Sequence, residues 1–184
     1  MGGLAQLAVQ KGFEVAGCDE NAYPPMSNVL AEQGIKVDQG FSTRNIADDI
    51  DLFVIGNVVS RGNPMMEEIL KRRLKFVSGP QFLTESILED RHVIAVSGTH
   101  GKTSTSSMLA KVLIDAGLDI GYMIAGRAID LDSTAYLGTH KYFVIEADEY
   151  DTAFFDKRSK FIHYSPSTLL INNLEFDHAD IFDD

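Results

Sequence analysis

Cysteine occurs once, as Cys18, in 184 residues. One thiol excludes an intrachain disulfide and a cysteine-built zinc site, and it fits a reducing, cytoplasmic setting. Basic residues are also in short supply: 16 Lys and Arg stand against 27 Asp and Glu, a formal charge of −11. Bulk charge of that sign excludes a nucleic-acid binder. No apolar run reaches the roughly 20 residues of a bilayer-spanning helix, so no membrane partner is expected. The opening Met1-Gly-Gly-Leu-Ala carries no basic stretch and no long apolar one, and does not read as a secretory signal. Repeats and low-complexity tracts are absent too. What is present is an ordinary globular composition, 45% hydrophobic and 23% charged, enough to build a core. None of this bears on oligomeric state.

Between frequent Gly and Pro breaks, helical and strand patterns alternate. Helices are expected over residues 4–10, 25–33, 64–70, 80–88 and 102–116, and strands over 14–18, 35–37, 51–55, 76–77, 92–96, 142–145 and 168–171. Asn63-Pro64 supplies a cap and a first helical residue. Met108, Leu109, Val112, Leu113 and Ala116 are assigned to one buried helix face, and the strands at 142–145 and 168–171 to a buried sheet. The charged break Glu89-Asp90-Arg91 divides the chain into 1–90 and 91–184. This alternation predicts an α/β fold with parallel sheets: a Rossmann-like first domain, its first strand missing, followed by the first part of a P-loop-type ATPase domain. Ligands in such sheets sit at the carboxyl ends of the strands.

One segment at such an end carries specific chemistry. Ser97-Gly-Thr-His-Gly-Lys-Thr-Ser-Thr105 joins an apolar strand to an amphipathic helix. Two glycines let the backbone curl so that N–H groups converge, the helix start adds positive potential, Lys102 can reach terminal phosphates, and the Thr103 hydroxyl can bind Mg²⁺. Gly98, Thr99, His100, Gly101, Lys102, Thr103 and Ser104 are therefore the expected nucleotide-binding residues. The pattern is a variant, because the generic P-loop has glycine where this chain has Val96. A glycine turn with a solvated lysine is the bland alternative, and the order strand, loop, Lys-Thr, helix weighs against it.

Two more strand ends converge there. Residues 142–145 run into Glu146-Ala-Asp-Glu-Tyr-Asp151, and 168–171 into Asn172-Asn-Leu-Glu-Phe-Asp-His178. An acid at that edge can hold Mg²⁺, and a neutral imidazole can complete its shell or contact a transferring phosphoryl group. Taken singly, Glu146 and His178 also read as solvated surface groups. The acids are concentrated here: residues 146–184 hold ten against three bases, a local net of −7. Composition alone makes that a solvated face, whereas its position makes it a cation and phosphate site.

Three motifs in this order, Gly98-Thr-His-Gly-Lys-Thr103, Glu146-Ala-Asp-Glu149 and Asn173-Leu-Glu-Phe-Asp-His178, resemble the ATP loop, acidic segment and metal-binding histidine motif of the Mur ligases, which build peptidoglycan precursors. Residues 150–161, His163-Tyr164 and residues 172–182 are more similar to the family's peptide-recycling branch than to its alanine-adding branch. The resemblance implies ATP-driven amide formation between UDP-N-acetylmuramate and L-alanyl-γ-D-glutamyl-meso-diaminopimelate, through an acyl phosphate. It implies Lys102 on the β- and γ-phosphates, Thr103 and Glu146 on Mg²⁺, and His178 on a second metal or the phosphoryl group, with Lys102 and His178 catalytic. The first domain would bind the UDP-sugar. Asp19 at a strand end suits a ribose, Asn57 and Ser60 follow another strand, Gly3 belongs to a glycine-rich turn, and Asn173 completes the substrate residues.

Mur ligases are longer and carry a third domain, so the 184 residues are expected to be an inactive internal piece. On that expectation Met1-Gly2-Gly3 is the tail of a phosphate turn, and Asp183-Asp184 lies within a domain. Four alternatives stay open at this point. An alanine-adding ligase uses the same motifs. A nicotinamide-dinucleotide protein needs Gly-x-Gly-x-x-Gly after a strand, which is lacking. A small kinase or GTPase leaves residues 1–90 unexplained, and a non-catalytic nucleotide-binding piece uses the loop alone. Tyr150, Phe154 and Phe155 are expected to pack rather than bind.

Overall fold

The computed structural model describes residues 1–126 and 130–173. It is a mixed α/β structure. The first half opens with α1 (Gly2–Lys11), stopped by Gly12 in the left-handed conformation. β1 (Ala16–Asp19) and β2 (Lys36–Gln39) pair in parallel across α2 (Met26–Glu32), and β3 (Phe53–Ile55) and β4 (Phe76–Ser78) pair in parallel across α3 (Pro64–Arg72). α3 starts where Asn63 Oδ1 accepts the N–H groups of Met65 and Met66, at 3.0 and 3.1 Å. The side chain of Ser78 caps α4 (Gly79–Ser86) in the same way.

The second half comprises β5 (His92–Ser97), α5 (Lys102–Asp115), β6 (Gly121–Met123), β7 (Ala135–Tyr136), β8 (Tyr142–Glu146), β9 (Asp151–Ala153), β10 (Asp156–Ser159), α6 (Lys160–His163) and β11 (Thr168–Ile171). Five strands form one sheet in the order β11-β5-β8-β6-β7, parallel throughout except for the antiparallel β6–β7 pair. Register aligns Ile171 with Ser97 and Val96 with Glu146. The carboxyl ends of β5, β8 and β11 therefore share one edge. β5 and β8 hold the centre because Val93, Ala95, Val96, Phe143, Val144 and Ile145 are apolar on both faces and buried on both.

The main core runs through both halves. Leu4, Leu7 and Ala8 of α1 and Phe82 and Leu83 of α4 pack with Val93, Ala95, Ala135, Phe143, Ile145 and Tyr164. α1 lies against β7: Gln10 Nε2 donates to Ala135 O (3.3 Å), and Leu137 N donates to Gln10 Oε1 (2.7 Å). Fully buried Gln6 donates to Thr134 Oγ1 (3.2 Å) and accepts from Gln33 Nε2 (3.3 Å), which satisfies its amide where burial would otherwise be costly. Phe155 meets Phe76 edge to face at 5.2 Å, and Phe154 packs against the cluster of Ile46, Phe53, Ile55, Met66 and Ile69.

Two expectations are corrected. The strand expected over 168–171 forms, but all four residues are exposed. β11 pairs with β5 alone, and no described element covers its faces. On α5, Met108 and Val112 are 62% and 64% exposed, and Ala116, just past its end, is exposed too, so all three leave the expected buried face. The buried side is Ser106 and Ala110, flanked by Leu109 and Leu113. The helix carries two apolar stripes, and the one with small residues approaches the sheet more closely. β1, β2 and β3 also start one or two residues later than expected, while β6, β7, β9, β10 and α6 were not anticipated.

Candidate functional site

The loop between β5 and α5 sits at the shared strand edge. Gly98 (φ +129°) and Gly101 (φ +79°) both adopt backbone that side chains disfavour. Space is restricted as well: a Cβ on Gly98 would lie 2.9 and 3.0 Å from the backbone O and N of Asn173, and one on Gly101 3.2 Å from Asn172 Nδ2. The end of β11 thus braces the loop. Asn172 N donates to Ser97 O (3.0 Å), Asn173 Oδ1 accepts from His100 N (2.9 Å), and Asn172 Nδ2 donates to Thr105 Oγ1 (2.9 Å).

Lys102 opens α5 and folds back over the loop. Its Nζ donates to Gly98 O (2.8 Å) and to both oxygens of Glu149 (3.0 and 2.8 Å), and lies 3.6 Å from Asp148 Oδ1. Burial pulls its pKa down, but pairing with Glu149 and Asp148 outweighs that and raises it, so the ammonium is secure at neutral pH. Lys160, at the start of α6, sits 3.5 Å from Asp148 Oδ2.

Beside this cluster, Glu146 at the end of β8 accepts the Thr103 hydroxyl (3.0 Å) and the Ala125 N–H (3.0 Å). Burial raises its pKa, the two hydrogen bonds lower it, and nearby Asp148 raises it further; the net shift is upward. The carboxylate and hydroxyl are hard oxygen donors, and a half-buried carboxylate whose charge is disfavoured suits a cation. Among the described residues no cluster of three His, Cys, Asp or Glu could hold a metal unaided. A cation at Thr103 and Glu146 would need further oxygens, such as phosphate.

The structure therefore brings together Gly98, Thr99, His100, Gly101, Lys102, Thr103, Glu146 and Asn173, with exposed Ser104 in the first turn of α5. It adds Glu149, Asp148 and Asn172, to which the sequence reading gave no individual role; their signal was placement directly after a strand. His178 lies outside the described residues. The other candidates are elsewhere. Asp19 ends β1 and accepts from Asn21 N (2.8 Å), while Asn57 and Ser60 are exposed in the turn after β3. Gly3 lies inside α1 and not in the glycine-rich turn expected of it; a Cβ there would meet Ala135 Cβ at 3.4 Å and Met123 Cγ at 3.5 Å. The start of α1 and the turn after β3 are neighbours, since a Cβ on Gly56 would lie 3.2 Å from Met1 Cγ.

Comparison with known proteins matches residues 1–91 to the model described as "Mur ligase family, catalytic domain" and residues 96–184 to "Mur ligase middle domain". The whole chain is 54% identical to the UDP-N-acetylmuramate-L-alanyl-γ-D-glutamyl-meso-2,6-diaminoheptandioate ligase of Haemophilus influenzae, and covers 41% of that protein. It thus spans about two fifths of the length of this curated relative. A solved UDP-N-acetylmuramate:L-alanyl-γ-D-glutamyl-meso-diaminopimelate ligase from Neisseria meningitides superposes with a TM-score of 0.96 at 52% identity, over 100% of this chain and 60% of that one. The UDP-N-acetylmuramate-alanine ligase of Thermotoga maritima shares the fold (TM-score 0.84) at 22% identity, over 100% of this chain and 41% of that one. Matched in both halves by the family's models, the chain belongs to the Mur ligase family.

Proposed function

We propose that the full-length protein joins UDP-N-acetylmuramate to L-alanyl-γ-D-glutamyl-meso-diaminopimelate, converting ATP to ADP and phosphate, in the cytoplasm and in the service of peptidoglycan recycling. The observation that carries this reading is the convergence of the β5–α5 loop, Lys102, Thr103 and Glu146 at one sheet edge, in a chain 54% identical to a protein named for that reaction.

A carboxylate is a poor acyl donor, and phosphorylation gives it a leaving group. The lactyl carboxylate oxygen attacks the γ-phosphorus and ADP departs; the acceptor amine then attacks the acyl carbon, phosphate departs, and the amine sheds its proton. Most of the barrier is the cost of bringing a carboxylate and a polyphosphate into line. Loop N–H groups between Gly98 and Ser104 cradle the phosphates, that of His100 excepted because Asn173 Oδ1 takes it, and Lys102 offsets charge on the β- and γ-groups. Thr103 and Glu146 would hold Mg²⁺, which neutralises phosphate charge when bound. His178 is assigned to a second metal or to the phosphoryl group.

In this reading residues 91–184 are the P-loop-type ATPase part, and residues 1–90 are a Rossmann-like UDP-sugar domain with Asp19, Asn57 and Ser60 toward the ligand and Gly3 in the helix that starts beside the turn after β3. Asn173 serves the substrate side by fixing the loop through His100. The tripeptide is favoured over free alanine because identity is 52% to the tripeptide ligase and 22% to the alanine ligase. Supplying the full-length protein with ATP, Mg²⁺, UDP-N-acetylmuramate and either acceptor, and measuring ADP release, tests this. Tripeptide is expected to be used at least about tenfold faster, a discrimination on the scale of 1.4 kcal/mol. Preference for L-alanine would contradict the reading.

A further inference from the structure

Lys102 has to reach terminal phosphates in the proposed reaction, yet its ammonium is already engaged. An ammonium has three N–H donors. Both Glu149 oxygens and Gly98 O lie within 3.0 Å of it, and the side chains of Lys102 and Glu149 are only 12% and 16% exposed. A phosphate oxygen therefore gains full contact with Lys102 only by displacing one of these partners. The Gly98 carbonyl belongs to a loop held against Asn173 and cannot withdraw without moving the brace. Glu149 is different: it sits in irregular chain between β8 and β9, on a side chain with three rotatable bonds. Asp148 carries the same charge, but stands farther from Lys102 at 3.6 Å and is shared with Lys160 at 3.5 Å.

We infer that Glu149 is a positioning residue that occupies Lys102 in place of the terminal phosphates and exchanges with them when nucleotide binds. This rests on the reading that the loop binds ATP. Glu149 keeps the lysine folded over the loop and paired while the site is empty. Each nucleotide that binds must break that bidentate pair, so the carboxylate lowers affinity for the polyphosphate and limits binding by ligands too weak to displace it.

The test is ADP binding by calorimetry in EDTA, with the full-length protein as wild type, Glu149→Gln, Glu149→Ala, Asp148→Asn, Lys102→Ala and the Lys102→Ala/Glu149→Gln double variant, each checked for folding by circular dichroism. Both Glu149 variants are expected to bind ADP about tenfold more tightly, equivalent to 1.4 kcal/mol, and Asp148→Asn clearly less so. In the Lys102→Ala background the Glu149→Gln change is expected to have little effect, because exchange needs the lysine. An equal gain in both backgrounds, or an equal gain from Asp148→Asn, would reduce Glu149 to through-space repulsion and overturn the inference. Wild-type binding that Lys102→Ala weakens but Glu149→Gln leaves unchanged would also overturn it, with the nucleotide reading intact. Absence of ADP binding, or binding indifferent to Lys102, would remove both.

Discussion

At Glu146 the proposed cation site works against the fold. Burial raises its pKa above the ordinary 4.5 despite hydrogen bonds from Ala125 and Thr103. A carboxyl whose folded pKa exceeds its unfolded one favours the native state when protonated, and that advantage is lost as pH rises through the folded value. At neutral pH its charge is therefore a net cost. In the full-length protein Glu146→Gln is expected to raise Tm at pH 7, to show no gain below pH ~4.5, and to lose ATP-dependent turnover. Thermal scans from pH 4 to 8 beside an ADP assay check this; a lower Tm at pH 7 would contradict it. The place and shape of the loop were legible in the sequence, because two glycines followed by Lys-Thr between an apolar strand and a helix mark a tight strand-to-helix turn. The partner of Lys102 was not. Which of Glu146, Asp148 and Glu149 reaches the ammonium depends on how the chain leaves β8, and no periodicity encodes that.

Among the elements, the β9–β10 hairpin and α6 illustrate what sequence patterns miss. β9 reads Asp-Thr-Ala and β10 Asp-Lys-Arg-Ser, with no apolar run to mark a strand, whereas the continuous apolar runs of β5 and β8 stand out. The pattern of α5 marks a helix, but two apolar stripes on one helix cannot be ranked until the sheet chooses the one with small residues. Charge ties β10 to α6. Asp156 accepts from Arg158 Nη2 (2.7 Å), and its Oδ2 lies 3.0 Å from His163 Nε2. Hydrogen bonding from the Arg158 side chain is the main reason its pKa falls to about 2, against the opposing effect of burial, with the Arg158 N–H and His163 adding to the fall. A depressed carboxylate stabilises the fold above its unfolded value of 3.8, and this contribution fades as pH falls toward 2. Asp156→Asn is thus expected to lower Tm at pH 7 by about 2–4 °C, with the difference shrinking between pH 4 and pH 2. A constant difference across that range would show that the charge is not responsible.

For the whole molecule, the acidity that marks the composition becomes part of the architecture. Within residues 146–173, Lys102 pairs with Glu149, Lys157 with Asp151, Arg158 with Asp156 and Lys160 with Asp148. This stretch is laced with partners rather than left as a solvated tail. The shared core has a further consequence. Leu83 of α4 is buried in the same cluster as Leu7 of α1 and Phe143 of β8, so Leu83→Ala is expected to cost roughly 2–5 kcal/mol. Hydrogen exchange in the full-length protein should lose protection together in residues 2–11 and 142–147. Loss confined to one of these segments would mean that the halves are stabilised separately.

Product formation tests most directly whether Lys102 and its loop serve ATP-driven ligation. Full-length wild type and Lys102→Ala are each given ATP, Mg²⁺, UDP-N-acetylmuramate and tripeptide, with the UDP-muramoyl peptide and ADP quantified by mass spectrometry. The expected result is one ADP per peptide joined by the wild type and, for Lys102→Ala, a rate at least about a thousandfold lower, ~4 kcal/mol of lost transition-state stabilisation. Ligation by Lys102→Ala at the wild-type rate, or product formed without ADP, would contradict it.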